Sequence, residues 1–467
     1  MRRAVVASVS VLALVLGAGQ NAPAARRHAA PVPSSSPLVA VVGEGASLPG
    51  GADGDRNGLF GYVSNRVRGG VRIGFCSEPA DDALAALLGD AHSDGACASS
   101  PQPPDFVAAD VPLRSVARLA LGARGEPVQV PFLAHAVAIV YDNPDVRGRL
   151  RLSIASLCGI ASGRLSDWSR IPIDPANPSG LTYPARPLRM VVRTDANGET
   201  FALSNFLSSV DAAGQRLACP RIHERFALGT VFDPANTTAV PAPRFGVLPI
   251  RSVGLREPFL GARGDGGEIS CVIGTPGACS SAGRSRATTG GAGTIGYADT
   301  ADASAFARAP VGIATLYVVR DGIPRDEDPV ADLPGVATRL EGVVLDRGLA
   351  PFVSGARPNP ELVPFAGPAA RAGCVAVVPP SAYAFPGVGY PIVGITNLVF
   401  ASAGNGARTN ALRVLAAVAN ESANETPKRI RSIDPDGAST GTTGYSVLPL
   451  STKKKTGIPA VVRCIVR

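Results

Sequence analysis

The chain has 467 residues, 45% of them hydrophobic and 18% charged, with 53 Gly and 42 Pro. That length supports more than one lobe with its own core, and the apolar content excludes a chain disordered throughout. The formal charge of +8 is modest for this size, and with no dense Lys/Arg patch interleaved with aromatics it gives no nucleic-acid signature.

Arg2 and Arg3 followed by the apolar run Ala4–Gly17 read as a secretory signal, with residues 1–30 as signal peptide and processing region. No Cys follows that run and no later stretch reaches the ~18 apolar residues of a spanning helix, so the expectation is an exported product, periplasmic or secreted, without membrane insertion. An Ala/Pro/Ser-rich tail leads to a first strand, Leu38–Val42. Gly43–Pro49 then forms a glycine-rich turn whose N–H groups and Ser47 hydroxyl can face an anion. Val71, Ile73 and Phe75 alternate as a second strand, and Pro79–Leu88 carries a helical apolar side. Asp105–Asp110 reads as a strand ending in a carboxylate, and Val128–Val140 as a core strand connecting lobes. Ser153 is a candidate N-cap for a short helix, and Trp168, the one Trp, reads as packing.

Leu188–Val210 is the pivotal stretch. A β-branched run ends at Arg193, a polar turn spans Thr194–Gly198, and helical spacing begins at Glu199. A strand entering a helix through such a turn presents free N–H groups, and an Arg at the strand end holds two oxyanion oxygens. The alternative is an ordinary strand–turn–helix with a surface Arg. Beyond it, residues 261–293 and 326–366 read as inserted loops, Gly293–Ala298 as a glycine-flanked strand, Tyr390–Phe400 as an apolar strand and Ala407–Val418 as a helix.

Eight Cys in an exported chain favour disulfides. Close spacing suggests Cys76–Cys97 and Cys271–Cys279, which leaves Cys158–Cys219 and Cys374–Cys464 as long-range ties; other pairings stay open. Only four His are present, no CxxC occurs and no Ser elbow is visible, so neither a metal site, nor a cofactor, nor an enzyme nucleophile is expected.

In the order Gly43–Pro49, Phe106–Leu113, Leu152–Trp168, Met190–Leu207, Gly293–Tyr297 and Gly389–Phe400, the chain resembles the periplasmic phosphate-binding proteins of ABC importers, closest to the secreted DING-like relatives. The resemblance implies an α/β, two-lobed periplasmic-binding-protein type II fold with two crossover strands and an interlobe cleft. It places lobe I at 38–130 plus 375–467 and lobe II at 131–374. It implies capture of inorganic phosphate or a related oxyanion, without catalysis, and an ABC importer permease as partner.

Carried over residue by residue, the resemblance assigns Ser47 and Leu48 to the first contact turn and Asp110 to the carboxylate that accepts the ligand's proton. Arg193 is the anion-holding Arg, Asp195 orients it, and the N–H of Gly198 meets the ligand. Asn197 and Glu199 depart from the family's Ser and Thr, and the hydroxyl-bearing loop before Val71 is replaced by a segment containing Arg66 and Arg68. Glu199 would repel a buried phosphate; Arg66 or Arg68 would either offset this or pair with Glu199 and occupy the anion's place. The alternatives are a binder of a different oxyanion, or a secreted interaction or surface protein with a degenerate cleft.

Overall fold

Most strands of the protein are organised by one unusually long one. The computed structural model describes residues 39–46, 71–87, 97, 102–110, 124–195, 197–212, 258–281, 284–288, 290–306, 311–332, 340, 353–354, 357–358, 374–378, 380–425, 445–447 and 458–466. These fall in one unit, Leu38–Arg467.

In chain order, β1 (Val39–Gly45) and β2 (Val71–Ser77) lead into helix α1 (Ala80–Leu87). Then come β3 (Phe106–Ala109), β4 (Pro127–Asp142), β5 (Arg151–Ser153) and α2 (Ile154–Ala161). The pivotal stretch forms β6 (Arg189–Arg193) and α3 (Gly198–Ala212). Next are β7 (Phe259–Ala262), α4 (Asp265–Val272), β8 (Cys279–Ser281), β9 (Arg284–Thr288), β10 (Thr294–Asp299) and α5 (Thr300–Ala305). Strands β11 (Gly312–Ile313), β12 (Thr315–Arg320) and β13 (Ile323–Glu327) follow, then β14 (Val353–Ser354) and β15 (Arg357–Pro358). Helix α6 (Pro380–Tyr383), β16 (Val393–Ala401), α7 (Thr409–Glu425), β17 (Tyr445–Val447) and α8 (Ile458–Arg463) complete the described chain.

The main sheet runs β2-β1-β3-β16-β4-β10-β6-β7-β8-β9. The β4 sequence PVQVPFLAHAVAIVYD is apolar almost throughout, as a strand covered on both faces must be. Its first part pairs antiparallel with β16, from Pro127↔Ala401 to Ala136↔Val393, and its last part with β10, from Val137↔Asp299 to Asp142↔Thr294. Because β3 is antiparallel to β16, and β1 and β2 run parallel to β3, these strands advance in the direction of β4. Strand β10, and with it the parallel β6 and β7, runs the other way. The carboxyl ends of the two parallel groups therefore face one another over the middle of β4. Helix N-termini follow β2, β6, β7 and β10 directly, so they converge on the same zone, the place where ligands sit in open α/β sheets.

At Pro131 the β4–β16 register shifts: Thr396 pairs with Leu133 but Asn397 with Pro131. Proline has no N–H to give the ladder, and an irregularity beside it is the usual accommodation. The core is built from both sheet faces and includes Phe106, Phe132, Phe206, Phe400 and Trp168. Trp168 is fully buried and donates its indole N–H to the Gly293 carbonyl at 3.0 Å, consistent with a packing role.

The stretch 261–293 is not the inserted loop expected from its Gly and Ala content. It supplies the end of β7, all of α4, and the β8–β9 hairpin of the main sheet. Burial of Ile269 and Val272 holds α4 there in spite of its two glycines. Of the other expected insert, 326–366, only short pieces lie among the described residues. Disulfides join Cys76 to Cys97, Cys271 to Cys279 and Cys374 to Cys464. Cys158 is also disulfide-bonded, while Cys219 of the expected Cys158–Cys219 pair lies outside the described residues.

Candidate functional site

The site forms where β3, β6, β7 and β10 end. Asp110 follows β3 and is almost fully buried. A Cβ built on Gly198, the first residue of α3, would lie 2.0 Å from the Asp110 Cβ. Only glycine allows the helix N-terminus to approach that carboxylate so closely. Asn197 caps the same helix: its Oδ1 accepts from the Thr200 N–H at 2.8 Å, and its amide donates to the Asp195 carbonyl at 2.8 Å. The Asn197 side chain, expected as a surviving donor to the anion, is thus committed to local backbone groups.

Arg193 ends β6 with its side chain 3% exposed. Its backbone N–H donates to the Tyr297 hydroxyl at 3.1 Å, and that hydroxyl lies 2.6 Å from the Thr200 Oγ1. The guanidinium is shared among three carboxylates. Asp195 takes the Nε at 2.9 Å and Nη2 at 2.5 Å, a bidentate pair. Asp265, at the start of α4, takes Nη1 at 2.6 Å, and Glu199 approaches the same nitrogen at 3.4 Å. The resemblance would give that outer edge of the guanidinium to a ligand. The partner of Glu199 here is Arg193 itself; Arg66 and Arg68, expected as its counter-charges, lie outside the described residues.

Acidic groups continue behind this shell. Glu268 Oε1 accepts from the Tyr297 N–H at 2.8 Å, and Asp299 caps α5 by accepting from the Ala301 N–H at 2.8 Å. The second oxygens of both, Glu268 Oε2 and Asp299 Oδ2, have no hydrogen-bond partner among the described residues. On the other side of Asp110, Thr396 donates its hydroxyl to Asp110 Oδ1 at 2.7 Å.

Burial dominates the electrostatics. It pushes Asp110 up to about 7, against the Thr396 hydrogen bond and the Arg193 charge, with Asp265 and Asp302 adding to the rise. Glu199, Glu268 and Asp299 are raised well above ordinary carboxylate values by burial first and by neighbouring carboxylates second. Asp265 is raised by burial in spite of Arg193. Asp195 alone of these acids falls: burial opposes its charge, but the bidentate Arg193 outweighs it. For Arg193 burial likewise opposes the charge, and Asp195, Asp265 and Glu199 together hold its pKa well above the usual value. Among the described residues no group of His, Cys, Asp and Glu is arranged to hold a metal ion.

Of the residues singled out in the sequence, Asp110, Arg193, Asp195, Asn197, Gly198 and Glu199 come together here. Ser47 and Leu48 lie outside the described residues. Asp265, Tyr297 and Thr396 were not anticipated. The signal for Asp265 was the same strand–turn–helix grammar that marked Arg193, repeated in Phe259–Val272 but obscured by glycine. Tyr297 and Thr396 sit in apolar strands, where a lone polar residue reads as core.

A profile described as "PBP superfamily domain" matches residues 67–330. The chain is 28% identical over 294 residues to a "Phosphate-binding protein" of an unknown prokaryotic organism, covering 59% of each chain. It is 27% identical over 226 residues to "Alkaline phosphatase L" of Pseudomonas aeruginosa, covering 47% of this chain and 52% of that one. The matched part thus spans little more than half the length of these relatives. Among solved structures, one described as "DING protein" superposes with a TM-score of 0.54 at 20% identity, covering 90% of this chain and 93% of that one. This likeness shows that the fold is of the α/β type II periplasmic-binding-protein architecture.

Proposed function

The chain belongs to the PBP superfamily, and from that footing we propose that it is an extracytoplasmic solute-binding protein that captures inorganic phosphate, without catalysis, between two lobes. The lobes are 38–130 plus 375–467 and 131–374, with β4 passing from one to the other at 130–131 and the chain returning at 374–375. The relative named as a phosphate-binding protein supports the ligand class. The observation that carries the reading is the meeting of Asp110, Arg193 and the N-terminus of α3, made possible at Gly198. Such a point offers an anion backbone donors, a guanidinium and an acceptor for its remaining proton. A fully ionised sulfate facing Asp110 would meet uncompensated repulsion, so phosphate is preferred. Ser47 and Leu48 complete the contacts in this proposal, and an importer permease is the downstream partner.

A second reading is a degenerate cleft used for secreted interactions, and one observation favours it. Asp265 and Glu199 already occupy Nη1 of Arg193. Calorimetry on protein prepared without phosphate separates the two readings. Capture predicts saturable phosphate binding, lost in Arg193→Ala, with sulfate much weaker. The degenerate cleft predicts no heat at millimolar phosphate. Phosphoester hydrolysis that purifies with the protein and survives Arg193→Ala would refute the non-catalytic assignment.

A further inference from the structure

Asp110 does not stand alone at this site. Its Oδ1 accepts from the Thr396 hydroxyl, and the same Thr396 oxygen lies 3.3 Å from Nδ1 of His135. His135 is fully buried on β4, and its Nε2 has no hydrogen-bond partner among the described residues. Gly394 packs against that edge: a Cβ there would lie 2.1 Å from Nε2, which leaves no room between them for a further group. An N–H on Nε2 would be a buried donor with nothing to bond, which costs more than a bare lone pair left there. The proton therefore belongs on Nδ1, where it donates to the Thr396 oxygen. The single Thr396 proton is then directed at Asp110. Burial keeps the ring neutral, pushing its pKa down to about 3, so this arrangement persists through the physiological range.

We propose that Thr396 is the positioning residue for anion selectivity: a one-way hydrogen-bond chain from His135 through Thr396 to Asp110 holds Asp110 as an ionised acceptor, so that the pocket takes an oxyanion still carrying a proton and rejects one without. The inference rests on the phosphate reading above. The need for such a chain is clear from what else faces Asp110. Arg193 at the end of β6 favours its ionised form, but Asp265 of α4, Asp302 of α5 and Glu199 of α3 oppose it, as does burial. The side-chain hydrogen bonds of Arg193 go to Asp195, Asp265 and Glu199, and the donor to the Asp110 carboxylate among the described residues is the Thr396 hydroxyl. Thr396 stands at the β4–β16 register shift, and its hydroxyl lies within reach of both His135 and Asp110.

The test is calorimetry of phosphate and of sulfate against wild type, Thr396→Val and Thr396→Ser from pH 5.5 to 9. Valine keeps the shape and removes the donor. It is expected to weaken phosphate by about tenfold at pH 7.5, the size of a lost charge-assisted hydrogen bond. It should also move the acidic limb of the affinity profile to higher pH and narrow the preference over sulfate. Serine keeps the donor and is expected to restore both the limb and the preference. Wild-type binding with an unchanged profile and unchanged preference in Thr396→Val overturns the inference. Absence of phosphate binding in the wild type overturns the function instead. Nitrogen NMR of His135 in the unliganded wild type then tests the chain without any variant: a proton on Nδ1 supports it, and a proton on Nε2 or a doubly protonated ring at pH 7 overturns it.

Discussion

Replacing Glu199 by Thr tests whether the carboxylates on Arg193 compete with the ligand. Glu199 Oε2 is 3.4 Å from Nη1 of Arg193 and the side chain is 5% exposed. At an effective dielectric of ~20, unit charges at that separation attract by about 5 kcal/mol, an upper bound on the contact. Phosphate must take the guanidinium edge from Glu199 or sit beside it and be repelled. Protonation softens this, because burial holds Glu199 well above the ordinary range. The residue of the competition is about 1–3 kcal/mol, the cost of one unsatisfied buried partner. Glu199→Thr therefore raises phosphate affinity by a factor of about 5 to 150. The gain grows with pH, since rising pH ionises Glu199 in the wild type and leaves Thr unchanged. Titration calorimetry at pH 6 and pH 8.5 reads both the gain and its slope. Equal or weaker binding by the variant at pH 8.5 would show that Glu199 does not obstruct the anion.

Gly198→Ala should abolish phosphate binding and lower the melting temperature, because its Cβ would lie 2.0 Å from that of Asp110; a variant that binds normally in calorimetry removes the close approach from the site. Arg193→Ala strands Asp195, Asp265 and Glu199 without their cation and should cost about 3–5 kcal/mol in urea unfolding at pH 8, and less at pH 5, where raised carboxyls are neutral. The unliganded protein should melt at higher temperature at pH 5 than at pH 9. Asp110 is pushed up to about 7 and Glu44, by burial and then by Glu78, to about 8. Stability from groups raised in the fold is complete below their ordinary values near 4 and is lost as pH climbs through the folded ones. A melting temperature that rises across that interval in scanning fluorimetry contradicts the assignment.

The elements of the fold were legible where local pattern and tertiary role agree. Val128–Val140 announced a core strand because both faces of β4 are covered, and Leu188–Val210 announced a strand, turn and helix because its apolar period changes at Glu199. The stretch 261–293 was misread because Gly266 and Gly267 in α4 lower helix propensity, while burial of Ile269 and Val272 against the sheet overrides it. In the site, the polar turn around Arg193 was legible and its environment was not. Which carboxylates meet a guanidinium depends on strands distant in sequence, as Asp265 does on the β6–β7 pairing. Thr396 was invisible for the same reason: its partners, Asp110 and His135, are 286 and 261 residues away.

The convergence of helix N-termini accounts for the acids found in this zone, and it is the same feature on which the proposed anion site rests. Helices α3, α4 and α5 each turn N-terminal N–H groups and a positive dipole end toward the crevice. In a site kept for a ligand those ends would be left to it. Here Glu199 lies in the first turn of α3, Asp265 and Glu268 in that of α4, and Asp302 in that of α5, with Asp299 as its cap. The protein thus supplies internally much of the negative charge that its architecture invites. Without ligand, that arrangement neutralises Arg193. If the site takes phosphate as proposed, the anion gains affinity only by what it adds beyond those carboxylates. On the proposed function, binding is therefore expected to be favoured where the raised acids are protonated and Asp110 is still ionised, a narrow interval that the Thr396 hydroxyl is proposed to widen from its acidic side.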